Sequence, residues 1–227
     1  SISSEESKMD EMITGNLIDL CAVLMLLTSV MAIATTRMKP LINLFSIQSV
    51  FLAALAFIVA WTSDTPHIYI MCVLTIALKV VVMPRMLLYI MSRINVDKEV
   101  ELSIGIPGSL LISGLLIILS YYITEPLLTS IETVERNCLA LSVSIILIGL
   151  LMMCTRRKAI TETVGLLMME NGLFLGAVAL SHGMPLIVEI GAFFDVMVAV
   201  IIIGIFAYRI NRSFNSVDTT FLRRLRE

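Results

Sequence analysis

Residues 138–181 read CLALSVSIILIGLLMMCT, then RRK, then AITETVGLLMMENGLFLGAVALS. The two apolar runs, each of about 20 residues, match the thickness of the hydrocarbon layer of a bilayer, so each predicts a membrane-spanning helix. In hydrocarbon every backbone polar group must be paired within the protein, which favours a helix for each run. The stretch therefore predicts two antiparallel transmembrane helices joined by a short basic connection.

Similar apolar runs recur along the whole chain. Of its 227 residues 58% are hydrophobic and 15% are charged, against about 45–50% and about 25% in a soluble domain. We predict an all-α integral membrane protein with about seven transmembrane helices. The net charge of −2 gives no indication of a nucleic-acid partner. The predicted spans are 13–35, 40–61, 67–91, 106–123, 138–155, 159–181 and 185–209.

Lysine and arginine are concentrated in alternate loops. One set of loops holds 12 of the 16 cations and the other holds 2. The first set consists of Arg37, Lys39, Arg93, Lys98, Arg156, Arg157, Lys158, Arg209, Arg212, Arg223, Arg224 and Arg226, and the second of Lys8 and Arg136. Cytoplasmic loops carry the excess of basic residues. The bias therefore predicts an N-terminus outside and a C-terminus in the cytoplasm.

The thiol and imidazole side chains show no pattern typical of a metal or redox centre. They lie within or at the edges of apolar runs, with no CxxC pair and no Cys/His cluster, at Cys21, Cys72, Cys138, Cys154, His67 and His182. Iron–sulfur ligation, zinc and a paired haem are therefore not expected in this chain. The cysteines are predicted to be buried free thiols.

Five ionisable residues within the predicted spans stand out: Lys79, Arg85, Glu170, Glu189 and Asp195. A charge at the bilayer centre costs about 2.5–3.5 kcal/mol on insertion scales, so such residues are kept when they are paired, hydrated or functional. Glu170 and Asp195 are predicted near the midplane on neighbouring antiparallel helices, with Glu189 shallower on the outer side. Carboxylates at such intervals favour a proton path. The alternative is that each is a protonated or paired packing residue.

Two further acid and base positions flank these residues. Glu162 marks the cytoplasmic end of the sixth span and is predicted to pair with the basic residues 156–158. Arg85 is expected to reach toward the cytoplasmic end of the third span.

Lys79 lies at the centre of the third span with no acid within one helical turn. Its partner must come from another helix or another chain. It is either a proton relay or a fixed counter-charge for Glu170 or Asp195, and the sequence leaves both open. Pro84 is expected to kink this helix near Lys79.

Small residues form one face of the sixth span, at Gly165, Gly172, Gly176, Ala179 and Gly183. Such a face predicts close helix packing. Glu170 lies about 140° away from it, at 100° per residue. Because the acids of the last two spans point in different directions, we predict partner subunits around them.

Other seven-helix classes fit the sequence less well. A retinal protein requires a lysine on the last helix, and the seventh span has none. A secondary transporter would often show inverted repeats, and no internal repeat is visible.

Four stretches resemble a known family: ALKVVVMPRMLLYIMSRI (77–94), LLMMENGLFLG (166–176), MPLIVEIGAFFDVMVAVII (184–202) and FNSVDTTFL (214–222). The whole chain resembles hydrogenase-4 membrane component E (HyfE). Its last three spans are similar to the three-helix subunit called NuoK in complex I and MrpC in multisubunit cation/proton antiporters. The resemblance implies a four-helix N-terminal membrane region at 1–137 and a NuoK/MrpC-like three-helix region with a cytoplasmic tail at 138–227.

The resemblance also implies a role. The chain would be a non-redox accessory subunit, without catalytic residues or cofactors of its own, of a complex-I-like membrane-bound nickel–iron hydrogenase of the hydrogenase-4 or formate hydrogenlyase type. Its partners would be lipid, antiporter-like and NuoH-like anchor subunits in a prokaryotic inner membrane, and soluble hydrogenase subunits that carry iron–sulfur clusters and the NiFe centre. Glu170 and Asp195 would be the central sites that couple electron transfer to proton or Na+ translocation, flanked by Glu189 and Lys79. The alternatives are a structural scaffold subunit, or a subunit of a non-hydrogenase cation/proton antiporter complex.

Overall fold

The computed structural model describes residues 2–63, 73, 76–93, 104–128 and 133–180, and all the regular elements within them are helical. A π-helical segment, Ile76–Val82, runs directly into the third α-helix, and a 3₁₀ turn, Glu125–Leu128, follows the fourth. The α-helices are α1 Ile2–Ala34, α2 Met38–Ser63, α3 Met83–Arg93, α4 Ile106–Thr124, α5 Thr133–Thr155 and α6 Ala159–Leu180. The predicted seventh span, with Glu189 and Asp195, lies outside the described residues.

Four helices within this part of the chain are long and apolar enough to cross a membrane: Met12–Ala34, Met38–Val59, Ile106–Thr124 and Asn137–Thr155. They coincide with the first, second, fourth and fifth predicted spans, and the chain is a multi-pass membrane protein. The four do not include α6, which carries Glu162, Glu170 and Asn171. Helix α1 begins well before its predicted span, because polar residues that favour helix extend it beyond the apolar run. The total of seven spans and the orientation remain predictions.

The helices form two hairpins that pack side by side. Residues 35–37 join α1 to α2, and residues 156–158 join α5 to α6. Connections of this length place successive helices antiparallel to each other. Helix α1 packs against α2 and α5, α2 packs against α6, and α4 packs against α5 and α1. Both basic connections lie at the same end of the bundle, where Arg156 contacts the end of α1.

Helices α5 and α6 approach each other closely through glycines. An ideal Cβ on Gly149 of α5 would lie 2.9 Å from the carbonyl oxygen of Gly165 and 2.9 Å from the backbone nitrogen of Met169. An ideal Cβ on Gly172 or Gly176 would lie 3.0 or 2.7 Å from side-chain atoms of α5. The glycine face of α6 therefore lies against α5, and Gly149 supplies the matching position.

Two apolar clusters fill the bundle. The basic-end cluster comprises Ala32, Met38, Leu41, Ile42, Phe45, Met83, Leu87, Ile90, Met91, Met152, Ile160, Val164, Leu167 and Met168. The far-end cluster comprises Ala22, Met25, Leu52, Leu55, Ala56, Val59, Cys138, Leu141, Ile145, Phe174 and Leu175. On α1, α2 and α6 the residues between the two clusters are polar and buried: Ser29, Gln48, Ser49, Glu170 and Asn171. A polar layer thus separates two apolar halves of the core.

Arg156 links the two hairpins through hydrogen bonds to the end of α1. It is only 2% exposed, and its Nη2 donates to the carbonyl oxygens of Ile33 at 2.6 Å and Thr35 at 3.4 Å. The last carbonyls of a helix lack partners within the helix, and a cation near them is stabilising. The guanidinium thus caps the C-terminal end of α1, and the pairing of Glu162 with the basic connection remains a prediction.

The cysteines differ from the prediction in their burial. Cys138 is buried, Cys21 is half-buried and Cys154 is exposed, while Cys72 lies outside the described residues. The prediction is wrong for Cys154, because it lies on a face of α5 that the described helices leave uncovered.

Replacing Gly149 with alanine should destabilise the protein by about 1–3 kcal/mol, because the new methyl group meets the backbone of α6. Gly114→Ala on α4 is the matched control: its ideal Cβ meets nothing within 4 Å, and alanine favours the helix by up to about 1 kcal/mol. Thermal unfolding in detergent measures both variants. Equal midpoints for the two would show that the close α5–α6 contact contributes nothing.

Removing the Arg156 guanidinium should also lower the stability, since Arg156→Met leaves the carbonyls of Ile33 and Thr35 without this donor. Hydrogen bonds of a charged donor contribute about 1.5–3 kcal/mol. Arg37→Met, at an exposed position in the other basic connection, is the control and should change little. A wild-type unfolding midpoint for Arg156→Met would contradict the capping role.

Candidate functional site

A lysine and a glutamate meet inside the bundle. Lys79, in the π-helical segment, is 2% exposed, and Glu170, on α6, is 4% exposed. The Lys79 Nζ lies 3.8 Å from the Glu170 Oε2. This distance is within the range of an ion pair but beyond that of a hydrogen bond. Of the two partners considered for Lys79 from the sequence, the structure places Glu170 beside it, while Asp195 lies outside the described residues.

The backbone around Lys79 is irregular. Lys79 lies in the middle of the π-helical segment, which ends two residues before Pro84. Proline has no backbone N–H to donate to the preceding turn, so the regular α-helical hydrogen-bond ladder is interrupted there. The helix irregularity that Pro84 was expected to cause near Lys79 is observed as this π-helical segment. Short π-helical segments occur frequently at functional sites.

The ammonium group of Lys79 also contacts an amide. Its Nζ donates to Asn171 Oδ1 at 2.9 Å. Asn171 Nδ2 in turn donates to Gln48 Oε1 at 3.0 Å and to Ser49 Oγ at 3.2 Å on α2. Asn171 follows Glu170 directly on α6, so one helix supplies both the amide and the carboxylate described beside Lys79.

The network continues to α1. Gln48 Nε2 donates to Ser29 Oγ at 2.7 Å and to the carbonyl oxygen of Met25 at 3.3 Å. Ser29 Oγ donates to the same carbonyl at 2.9 Å. We call Asn171, Gln48 and Ser29 the amide arm. Their buried polar groups are hydrogen-bonded, as burial in an apolar interior requires.

Lys79 determines which way the amides point. An ammonium group has three donors and no acceptor, so the Asn171 atom that faces it must be the oxygen. The Asn171 nitrogen then faces Gln48 and requires an oxygen there, which turns the Gln48 nitrogen toward Ser29. All donors along the amide arm therefore point away from Lys79.

Two other predicted residues lie apart from this network. Arg85 is exposed on α3. Glu162 is half-buried in the first turn of α6, where its backbone N–H donates to the Lys158 carbonyl oxygen at 3.0 Å. Glu162 is two helical turns from Glu170, about 12 Å along the axis. The pair of Lys79 and Glu170 is thus the one contact among the predicted site residues that the described structure contains.

The sequence analysis singled out ionisable residues within the spans and did not include the neutral polar ones. The amide arm was therefore not predicted, although the sequence shows Gln48, Asn171 and Ser29 as polar residues inside apolar runs. Asp19, within the first span, was also missed. It is half-buried and accepts long contacts from Asn137 Nδ2 at 3.4 Å and Cys138 Sγ at 3.7 Å.

Glu170 is enclosed by helices of its own chain. The glycine face of α6 lies against α5, and the acid lies beside Lys79 of the π-helical segment. Its burial therefore does not need the partner subunit that the divergent acids suggested. Among the described residues, three or more His, Cys, Asp or Glu side chains nowhere come together as a metal site.

Comparison with known proteins identifies relatives over nearly the full length. No family model matches the chain, and no solved structure does. An uncharacterised protein of Mycobacterium tuberculosis is 30% identical over 212 residues, which is 93% of this chain and 96% of the relative. Hydrogenase-4 component E of Escherichia coli and that of Shigella flexneri are each 26% identical over 215 residues, 95% of this chain and 98% of theirs. With the apolar helices and the stretches around Lys79 and Glu170, these similarities show that the chain belongs to the hydrogenase-4 component E family.

Proposed function

We propose that this chain is a non-redox accessory subunit of a hydrogenase-4-type membrane complex, and that Lys79 and Glu170 belong to the path that couples electron transfer to proton or Na+ translocation. The observation that carries the proposal is the buried pair itself, with 3.8 Å between Nζ and Oε2, in the polar layer between two apolar clusters. The family relatives supply the kind of complex.

The energetics of a buried pair support a functional role over a packing role. Taking two charges out of water is costly, and apolar side chains of similar volume often replace a buried ion pair without loss of stability. A scaffold subunit therefore needs no such pair at this depth. A coupling subunit does, because groups that exchange protons must lie where the ion crosses.

The geometry allows the two groups to influence each other's charge. A proton that reaches the Glu170 carboxylate neutralises it, and the Lys79 ammonium then lacks its counter-charge in a medium that screens charge poorly. The ammonium is thereby driven to release a proton or to move toward another acid. Asp195 and Glu189 on the seventh span are the proposed continuation, and Glu162 and Arg85 flank the cytoplasmic side.

The chain lies in the inner membrane of a prokaryote with its N-terminus outside, so that the basic connections at residues 35–37 and 156–158 face the cytoplasm. Soluble subunits with iron–sulfur clusters and the NiFe centre dock on that side. Antiporter-like and NuoH-like anchor subunits adjoin the chain within the membrane.

Lys79→Met and Glu170→Gln should each lower ion translocation by about tenfold or more, because each removes one of the two exchanging charges. Translocation is measured as pH-gradient formation by the purified complex in vesicles, while hydrogen chemistry is followed separately with an artificial electron carrier and should persist. Lys39→Met and Glu125→Gln, both exposed, are the matched controls. Asp195→Asn is expected to resemble Glu170→Gln, and Asp195→Glu to retain part of the activity.

Wild-type gradients from assembled Lys79→Met and Glu170→Gln complexes would contradict the coupling role. The buried pair would then be a packing contact, and the chain would be a structural scaffold subunit instead of a coupling subunit.

The double variant gives a separate test of the pair. Lys79→Met alone leaves the Glu170 carboxylate buried without its counter-charge, at a cost of about 3–5 kcal/mol. Adding Glu170→Gln removes that charge, so the double variant should be more stable than Lys79→Met alone. Thermal dissociation of the purified complex measures the difference, and strictly additive losses would show that the two residues act independently.

A further inference from the structure

We propose that the amide arm positions the Lys79 ammonium so that it stays out of direct contact with Glu170, and thereby keeps the pair able to separate. The inference rests on the proposed function of the pair. Lys79 Nζ is 2.9 Å from Asn171 Oδ1 but 3.8 Å from Glu170 Oε2. The ammonium is thus hydrogen-bonded to the neutral amide while the carboxylate next to it in sequence remains farther away.

The amide of Asn171 is held in place from behind. Its Nδ2 donates to two acceptors on α2, Gln48 Oε1 and Ser49 Oγ. Ser49 Oγ is itself bonded to the carbonyl oxygen of Phe45 at 3.0 Å. Rotating the amide toward Glu170 would break both contacts in a buried site, where an unpaired polar group is costly.

Gln48 is fixed in the same way by α1. Its Nε2 donates to Ser29 Oγ and to the Met25 carbonyl oxygen. Because every donor points away from Lys79, the dipoles of the arm align and each hydrogen bond polarises the next. The aligned dipoles present an amide oxygen to the ammonium and compete with the carboxylate for it.

Direct contact would change the pair. At about 2.8 Å, typical of a charged nitrogen–oxygen hydrogen bond, the Coulomb attraction would be about a third stronger than at 3.8 Å in the same medium. A pair so bound is harder to separate when a proton must pass. By keeping the ammonium at a distance from the carboxylate, the amide arm favours repeated separation of the Lys79–Glu170 pair over a tight ion pair.

The arm itself is no exit for protons. It contains two amides and a hydroxyl, and it ends on the backbone carbonyl of Met25. Asn171, Gln48 and Ser29 therefore act as positioning residues and do not carry protons to or from Lys79.

The test is Gln48→Leu, which removes Gln48 Oε1, the nearer of the two acceptors behind Asn171, and leaves Lys79 and Glu170 in place. We expect the Nζ–Oε separation to contract to about 2.8 Å in a cryo-electron microscopy structure of the whole complex, and the translocation rate to fall by about fivefold to tenfold. Asn43→Leu, at an exposed position of the same helix, is the matched control and should change neither.

A Gln48→Leu complex with an unchanged 3.8 Å separation and wild-type translocation would overturn the inference, even where Lys79→Met and Glu170→Gln fail to translocate. If those two variants translocate normally, the proposed function fails instead, and the measured separation still decides about the arm. If Gln48→Leu does not assemble, Ser29→Ala takes its place: a shortened separation supports the inference, and an unchanged one overturns it.

Discussion

A lysine and a glutamate buried inside a membrane-spanning bundle require polar surroundings, and the rest of the core is arranged around that requirement. Lys79 and Glu170 lie in a layer of hydrogen-bonded side chains between two apolar clusters. The layer draws on α1, α2, the π-helical segment and α6. Each of these helices is apolar on either side of its contribution, so protein encloses both charges, and Lys79 is hydrogen-bonded within the layer.

Close packing elsewhere in the bundle determines where the acid points. The glycines of α6 face α5 at distances that leave no room for a larger side chain at Gly149. That contact sets the rotation of α6 about its own axis, and Glu170, about 140° around the helix, is directed toward Lys79. Arg156 joins the ends of the two hairpins at the basic end. Packing far from the charges thus controls the geometry of the charged pair.

Family membership and site geometry contribute different parts of the functional conclusion. The relatives named hydrogenase-4 component E indicate the kind of complex, while a fold alone does not specify a role within it. The role that we propose within the complex rests on two charges 3.8 Å apart, with an amide in closer contact with one of them. In the proposed mechanism, the contacts that bury the charges also limit how tightly the two charges bind each other.

The sequence by itself determined the properties that depend on local composition: membrane-length apolar helices, the basic connections, the ionisable residues within spans and the resemblance to a family. It also indicated that the small face of α6 packs closely. Only the tertiary structure decided which side chains meet, because Lys79 and Asn171 are 92 residues apart, and Asn171 and Gln48 are 123 apart. It likewise decided that Arg156 caps α1 and that Cys154 is exposed. Apolar run length is a property of one helix, whereas contacts between spans depend on the rotation and packing of several helices, which short-range patterns do not encode.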